Sequence, residues 1–121
     1  MNQFSKEELK MAQNAIQSTI RKSEKVIQTL SIKESSKPAQ IKRVEERLHV
    51  FYTADSLLMI ALDEKPIVEV TKTDLENLKR ILPPIKKQIE DMLYKFSNGT
   101  SQHTLAIRRI KAFEIVLELA K

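Results

Sequence analysis

The chain has 121 residues and a net charge of +5, with 41% apolar and 31% charged residues. This length fits one domain that can bury a core without metals or disulfides. The absence of cysteine excludes a disulfide framework, a thiolate nucleophile and Cys-based metal sites. One glycine, four phenylalanines and two tyrosines leave little material for a β-sheet, so the composition predicts an all-α protein.

No apolar stretch approaches the ~20 residues needed to cross a bilayer, and the polar N-terminus does not have the pattern of a signal peptide. We therefore expect a cytoplasmic protein with no membrane span. The positive charges are spread over both halves of the chain. Such a surplus favours solubility and leaves nucleic acid open as a partner without identifying it.

A first helix is predicted from about Lys6 to Leu30. Ser5 and Glu8 have the spacing of a capping box, in which each side chain binds the backbone amide of the other residue. Residues of the expected buried face then recur at intervals of three and four: Leu9, Ala12, Ile16, Thr19, Ile20, Val26, Ile27 and Leu30. The polar stretch from Ser31 to Lys37 is predicted to be a loop.

The second helix is predicted from Pro38, which suits a first turn, to Leu62. From His49 onward nearly every side of this helix is apolar, which is typical of a helix in the centre of a bundle or of one covered by a partner. We favour the central position. A homodimer formed through the apolar end, Leu57 to Leu62, is the alternative.

An extended linker is predicted from Asp63 to Val70, because Pro66 ends any helix and disfavours helical backbone in the residue before it. Thr71 and Asp74 then repeat the capping-box spacing of the first helix. The third helix carries a heptad pattern at Leu75, Leu78, Leu82, Ile85, Ile89, Met92 and Phe96. The pair Pro83-Pro84 predicts a kink in it, because two amide donors are missing.

Gly99 is expected to end the third helix, because glycine readily takes the left-handed conformation found after helix C-termini. Thr100 or Ser101 is expected to cap a fourth helix that extends to about Ala120. Its predicted inward positions are Leu105, Ile107, Ile110, Phe113, Val116, Leu117 and Ala120.

The two halves of the chain look like one pattern written twice, at an offset of 66 residues. Ser35, Ile41, Lys42, Arg43 and Val44 correspond to Ser101, Ile107, Arg108, Arg109 and Ile110. A single two-helix hairpin cannot bury its apolar face. The sequence therefore predicts an antiparallel four-helix bundle in one domain, residues 1–121, made of two tandem hairpins (about 5–62 and 71–121, with linker 63–70) related by a pseudo-twofold axis.

The last helix opens with Ser101, His103, Thr104 and Leu105, followed by Arg108, Arg109, Ile110, Lys111 and Ala112. On these residues, the segment from Val70 to Lys121 resembles short uncharacterised helical-hairpin proteins of Gram-positive bacteria. The resemblance implies a helical hairpin, here duplicated in tandem, and implies no activity, cofactor or ligand. The first half departs from it, with Lys37-Pro38-Ala39 in place of His103-Thr104-Leu105.

Two basic clusters occupy corresponding positions of the second and fourth helices: Lys42, Arg43 and Arg47, and Arg108, Arg109 and Lys111. They are candidate contacts for a polyanion or a protein partner. The alternative is a solvated face whose aliphatic stems cover the edge of the core. Few aromatic residues are available to stack on bases, so specific reading of DNA is disfavoured.

Three patterns on the second helix bear on other chemistry. Glu46 and His49 have a metal-ligand spacing, but the equivalent of His49 in the second half is Ile115, so we predict no metal site. Arg43 and His49 are similar in spacing to the Arg and His motif of HEPN domains, helical bundles with ribonuclease activity. Asp55 falls on the core register, where it requires a Lys or Arg of the fourth helix or Tyr94 as partner; otherwise it lies at the edge in water.

Together these observations favour a small non-catalytic helical protein that acts as a protein–protein interaction or regulatory module without a cofactor. A nucleic-acid-associated accessory protein that uses the two basic clusters is the alternative. A HEPN-type ribonuclease is the third interpretation, and it rests on Arg43 and His49 alone.

Overall fold

The computed structural model describes residues 3–32, 37–66 and 68–121. It contains four α-helices, α1 (Lys6–Ile32), α2 (Pro38–Ala61), α3 (Lys72–Met92) and α4 (Ser101–Leu119), and a short 3-10 helix at Leu93–Lys95. No β-strand occurs in these ranges, so the predicted all-α class is confirmed. Ser35, one position of the predicted repeat, lies outside the described residues.

The helices form an antiparallel four-helix bundle, as predicted. Each helix packs against the next one along the chain, α4 returns to pack against α1, and α2 and α4 touch across the centre, whereas α1 and α3 do not meet. The direction of the helices follows from side-chain pairs between neighbours: Tyr52 with Glu24, His49 with Asp74, Lys86 with Glu114, and Lys111 with Glu8. The tandem duplication and its pseudo-twofold axis stay predictions.

The centre of the core is a contact between α2 and α4, where the rings of Phe51 and Phe113 stack with centroids 6.1 Å apart. Leu58, Leu82 and Ile16 are fully buried around this pair. Burial of each such side chain contributes roughly 1.5–3 kcal/mol to folding. The run from Val50 to Leu58 is buried on nearly every side, which confirms that α2 is central.

Helix ends follow the sequence signals closely. The Ser5 and Glu8 side chains each bind the other residue's amide at 3.1 Å, and Thr71 and Asp74 form the second capping box. Thr100 rather than Ser101 caps α4, because its hydroxyl accepts from the amide of His103. These local contacts need only neighbours in the chain, which is why the sequence predicts them.

Helix α3 continues through Pro83 and Pro84, so one helix rather than two is confirmed there. Both prolines are exposed, while Leu82 and Ile85 on either side of them are buried. The two backbone N–H donors that the prolines lack are therefore missing on the solvent side of the helix. There, water can bind the carbonyl groups that these donors would have paired. The kink itself stays a prediction.

Helix α3 ends at Met92, seven residues before the predicted stop at Gly99, and Leu93–Lys95 continue it as a 3-10 turn. Gly99 has a φ of 83°, the left-handed conformation expected of it.

The predicted inward face of α4 is wrong in its first turns. Leu105 and Ile107 are exposed, whereas Ala106 is buried. Farther along, Leu117 packs half-buried against the core as predicted, and Ile115 is buried in addition. Ala106 and Ala112 are both buried, so the helix turns this face inward instead of the Leu105 face. Over this stretch the predicted face rests on the large apolar residues alone and gives no weight to the two alanines.

Candidate functional site

The bundle has a closed end and an open end. The closed end, residues 3–20, 50–66, 68–85 and 106–121, contains all the buried residues of the described chain. The open end, residues 21–32, 37–49 and 86–105, contains the two hairpin tips and has none. It nevertheless exposes five large apolar side chains: Val26, Ile32, Met92, Tyr94 and Leu105. An end with apolar surface and no core is a candidate binding surface.

The predicted basic clusters lie on opposite sides of the bundle. Lys42 lines a groove between α2 and α3 that also contains Glu45, Glu46 and Arg80, while Arg108 and Arg109 face α1. Arg43 is exposed and Arg47 half-buried. Lys111 is exposed and lies 3.8 Å from the Glu8 carboxylate. The six residues therefore do not form one basic surface, and the α2 cluster lies among carboxylates.

The most continuous surface feature is a groove along α4, which we call the α4 groove. It consists of three adjoining depressions with volumes of about 80, 120 and 370 Å³. Met11 and Arg108 line both the first and the second, and Leu105 and Arg109 line both the second and the third. From Ile115 to Gln102 the groove follows about 20 Å of helix at 1.5 Å per residue.

Arg109 is at the middle of the α4 groove and is half-buried. Its Nε and Nη2 atoms are buried and have no hydrogen-bond partner in the described chain. Burial lowers the pKa of Arg109 from its usual value, but a guanidinium stays charged at neutral pH. The guanidinium is therefore charged and incompletely paired. This arrangement destabilises the fold of the protein when no partner is bound.

The surroundings of Arg109 supply cations, apolar groups and the neutral polar side chains of Asn14, Ser18 and Gln102, but no counterion. The two depressions that it lines contain Lys22 and Arg108 but no carboxylate. The carboxylate of Glu8 lines the far depression, next to Lys111. Apolar side chains with free surface flank the guanidinium on both sides, Met11 with 54% and Leu105 with 43% exposed. The groove thus suits a ligand that is apolar along its length and carries an anion near its middle.

Arg109 was predicted as a surface contact, and its burial was missed. A signal for it exists in the sequence, because Ala106, Arg109 and Ala112 lie three residues apart on one helical face. Two small residues at this spacing indicate a face that packs closely against another helix. Arg109 lies between them on the same face and is therefore expected to be partly buried.

The two residues of the ribonuclease hypothesis, Arg43 and His49, do not line a common groove. His49 Nε2 lies 2.9 Å from Asp74 Oδ1, the carboxylate of the second capping box. Hydrogen bonds from the Thr71 amide, and then from His49, lower the pKa of Asp74. The groove that His49 lines does not include Arg43. In the described ranges no three His, Asp or Glu side chains come together as metal ligands.

Asp55 is buried, and both partners proposed for it from the sequence are wrong. It faces the amides of Gln17 and Gln13 on α1, which act to lower its pKa, while burial has the larger effect and raises it. Tyr94 is 81% exposed, with the Lys95 ammonium 6.0 Å from its ring. The heptad register located Asp55 correctly in the core, but it could not indicate which helix lies opposite.

None of the described helices has the length and apolarity needed to cross a bilayer. Comparison of the chain with protein-family models, curated proteins and solved structures found no match. The resemblance of residues 70–121 to bacterial helical-hairpin proteins stays a prediction, and function has to be argued from the surfaces themselves.

Proposed function

We propose that the protein is a non-catalytic protein-binding module, acting in the cytoplasm, whose α4 groove accepts an amphipathic helix of a partner protein. An Asp or Glu side chain near the middle of that helix pairs with the Arg109 guanidinium. The observation that carries the proposal is the buried pair of Arg109 nitrogens, which have no hydrogen-bond partner in the described chain and border two depressions that no carboxylate lines.

The dimensions and lining of the groove support a helical occupant. A length of about 20 Å accommodates roughly 13 residues of helix, enough for anchors at positions i, i+3, i+4 and i+7. Met11 and Met92 line it, and methionine adapts its shape to irregular apolar partners. The cations Lys22, Arg108 and Lys111 favour a partner helix with a negative polar face.

A protein carboxylate fits this site better than a nucleic-acid phosphate does. The Arg109 nitrogens are recessed between apolar side chains, whereas phosphate contacts use projecting cations. Lys42, an exposed cation of the other cluster, lies on the opposite side of the bundle. A nucleic-acid-associated role and ribonuclease activity are therefore treated as outcomes of the test.

The test compares capture of partners by the tagged wild-type protein with capture by Arg109→Gln and by Lys42→Gln, in nuclease-treated lysate of the source cells. Lys42→Gln is the matched control, because it removes a cation on the other side of the bundle. We expect one protein to be recovered by the wild type and by Lys42→Gln, and to be lost with Arg109→Gln.

Capture is followed by a binding measurement with the helical segment of the recovered protein. Arg109→Gln should weaken this peptide by roughly tenfold or more, since the loss of one member of a buried charge pair costs about 2–5 kcal/mol. Changing one particular Asp or Glu of the peptide to its amide should weaken binding to the wild-type protein as much as Arg109→Gln does. The same peptide change should weaken binding to the Arg109→Gln protein only a little further.

Several results would overturn the proposal. Equal recovery by Arg109→Gln would separate binding from the α4 groove. Loss of binding on nuclease treatment, with a steep salt dependence, would identify a nucleic-acid-associated protein. RNA cleavage that disappears in His49→Ala would identify an enzyme. A sedimenting dimer that dissociates in Arg109→Gln would make a second copy of the chain the occupant.

A further inference from the structure

A second groove lies between α1 and α2, on the other side of α1 from the α4 groove, and has a volume of about 440 Å³. Asp55 and Tyr52 line it from α2, Gln17 and Ile20 from α1, and Val68 from the linker. This volume falls within the range of small-molecule sites, roughly 300–1,000 Å³. The groove shares no lining residue with the proposed protein-binding surface.

Asp55 is the buried polar group of this groove. It is 8% exposed, and its Oδ1 atom has no hydrogen-bond partner in the described chain. The nearby amides of Gln13 and Gln17 are neutral and only partly offset the effect of burial on its carboxyl group. A carboxylate held in this way lacks a positive group.

The other carboxylates near Asp55 also lack a cation. Glu24 accepts a hydrogen bond from the Tyr52 hydroxyl at 3.0 Å, and Glu64 accepts one from the Gln13 amide at 3.3 Å. Neither takes part in an ion pair with a described residue. Arg21 lines the groove from an exposed position. In a chain with a net charge of +5, three carboxylates gathered without an ion pair mark a local excess of negative charge.

We propose that the α1–α2 groove binds a small aliphatic amine, with its ammonium group at the Asp55 carboxylate and its alkyl chain against Ile20, Val68 and the Tyr52 ring. An ammonium supplies both the missing charge and up to three hydrogen-bond donors. A metal ion fits less well, since no group of three ligating side chains forms in the described ranges.

The experiment is an NMR titration of the full chain with n-pentylamine, with 1-pentanol as the neutral compound of the same shape. We expect saturable shifts at Asp55, Gln17 and Tyr52 with the amine and none with the alcohol. The amine should also lower the pKa of the Asp55 carboxyl, because bound positive charge favours its ionised form.

Two variants distinguish this site from non-specific attraction. Asp55→Asn should weaken the amine at least about tenfold, whereas Asp91→Asn, at an exposed aspartate of α3, should leave its affinity unchanged. Shifts of equal size with the alcohol, equal affinity in Asp55→Asn, or no saturable shift with the amine would each overturn the proposal. If Asp55→Asn does not fold, the pKa of Asp55 in the wild-type protein is compared with and without the amine. A lowered pKa supports the proposal, and an unchanged pKa overturns it.

The proposal is independent of the protein-binding function. Failure of the amine to bind leaves the Arg109 experiment untouched, and an Arg109→Gln variant should bind the amine as the wild type does.

Discussion

The closed and open ends of this bundle differ in how completely their side chains are buried. At the closed end, four helices bury Ile16, Leu58, Leu82 and Phe113 completely, and the two capping boxes fix the starts of α1 and α3. At the open end the same helices continue without any buried residue in the described ranges, yet they expose apolar side chains. The difference indicates that the core that stabilises the fold lies at one end, whereas the α4 groove runs from that end, at Met11 and Arg108, to the open end, at Met92 and Gln102.

The two incompletely paired charges deepen this comparison. Asp55 belongs to the closed end and has neutral amides beside it. Because burial raises the pKa of its carboxyl group, Asp55 can lose its charge by taking up a proton. Arg109 lies where the closed end meets the open end, and its guanidinium cannot lose its charge at physiological pH. A buried carboxyl can therefore be tolerated by titration, whereas the buried guanidinium requires an anion from outside.

The largest expected effect compares one leucine from each end. Leu82→Ala should lower the free energy of unfolding by about 2–5 kcal/mol, because Leu82 is fully buried and leaves a cavity. Leu105→Ala should lower it by less than about 1 kcal/mol, because Leu105 is largely at the surface. Urea unfolding followed by circular dichroism measures both. Equal losses would show that the open end contributes to the core after all.

An intermediate effect is expected at Arg109. Arg109→Met should raise the free energy of unfolding of the isolated protein by about 1–3 kcal/mol, since it removes an incompletely paired charge and keeps the apolar stem. Arg108→Met, at the exposed neighbouring residue, should change it by less than about 0.5 kcal/mol. The same unfolding measurement applies. Destabilisation by Arg109→Met would mean that the guanidinium is already paired.

The smallest effect is at Asp55 and depends on pH. Because burial raises the folded-state pKa of Asp55, its contribution to stability is complete below the ordinary carboxyl pKa and is lost as pH rises through the raised value. Asp55→Asn does not titrate, so it should gain about 1 kcal/mol over the wild type at neutral pH, and the gain should shrink on acidification.

Asp74 is the control for Asp55, because its pKa is shifted in the opposite direction. Its pKa is lowered, so its contribution is present above the ordinary carboxyl pKa and is lost as pH falls through the lowered value. Asp74→Asn should therefore be less stable than the wild type at neutral pH, and the deficit should shrink on acidification. Unfolding curves at several pH values test both aspartates, and parallel pH dependences for the two variants would contradict the assignment.

Local signals were enough to predict where helices begin and end, because capping contacts join residues three positions apart. The Ser5 and Thr71 boxes followed from such contacts. Pro38 at the start of α2 and Gly99 before α4 followed from the backbone conformation that each of these residues favours. The rotation of α4 did not follow, because the choice between the Leu105 face and the Ala106 face depends on how closely a neighbouring helix approaches.

The same limit applies to the candidate sites. Arg109 and Asp55 are both visible in the sequence, but what a buried charge needs depends on groups brought to it from other helices. For Asp55 these groups are Gln13 and Gln17 of α1, about 40 positions earlier in the chain. For Arg109 the decisive fact is that no carboxylate lines the two depressions it borders.

The sequence by itself determined an all-α chain, four helices with most of their ends, and a central second helix, since composition, capping and periodicity act along the chain. Only the tertiary structure decided that the core fills one end of the bundle and that Arg109 is partly buried without a counterion. Those outcomes depend on which side chains from distant segments meet, and burial gives a charge its energetic consequence only after the helices have packed.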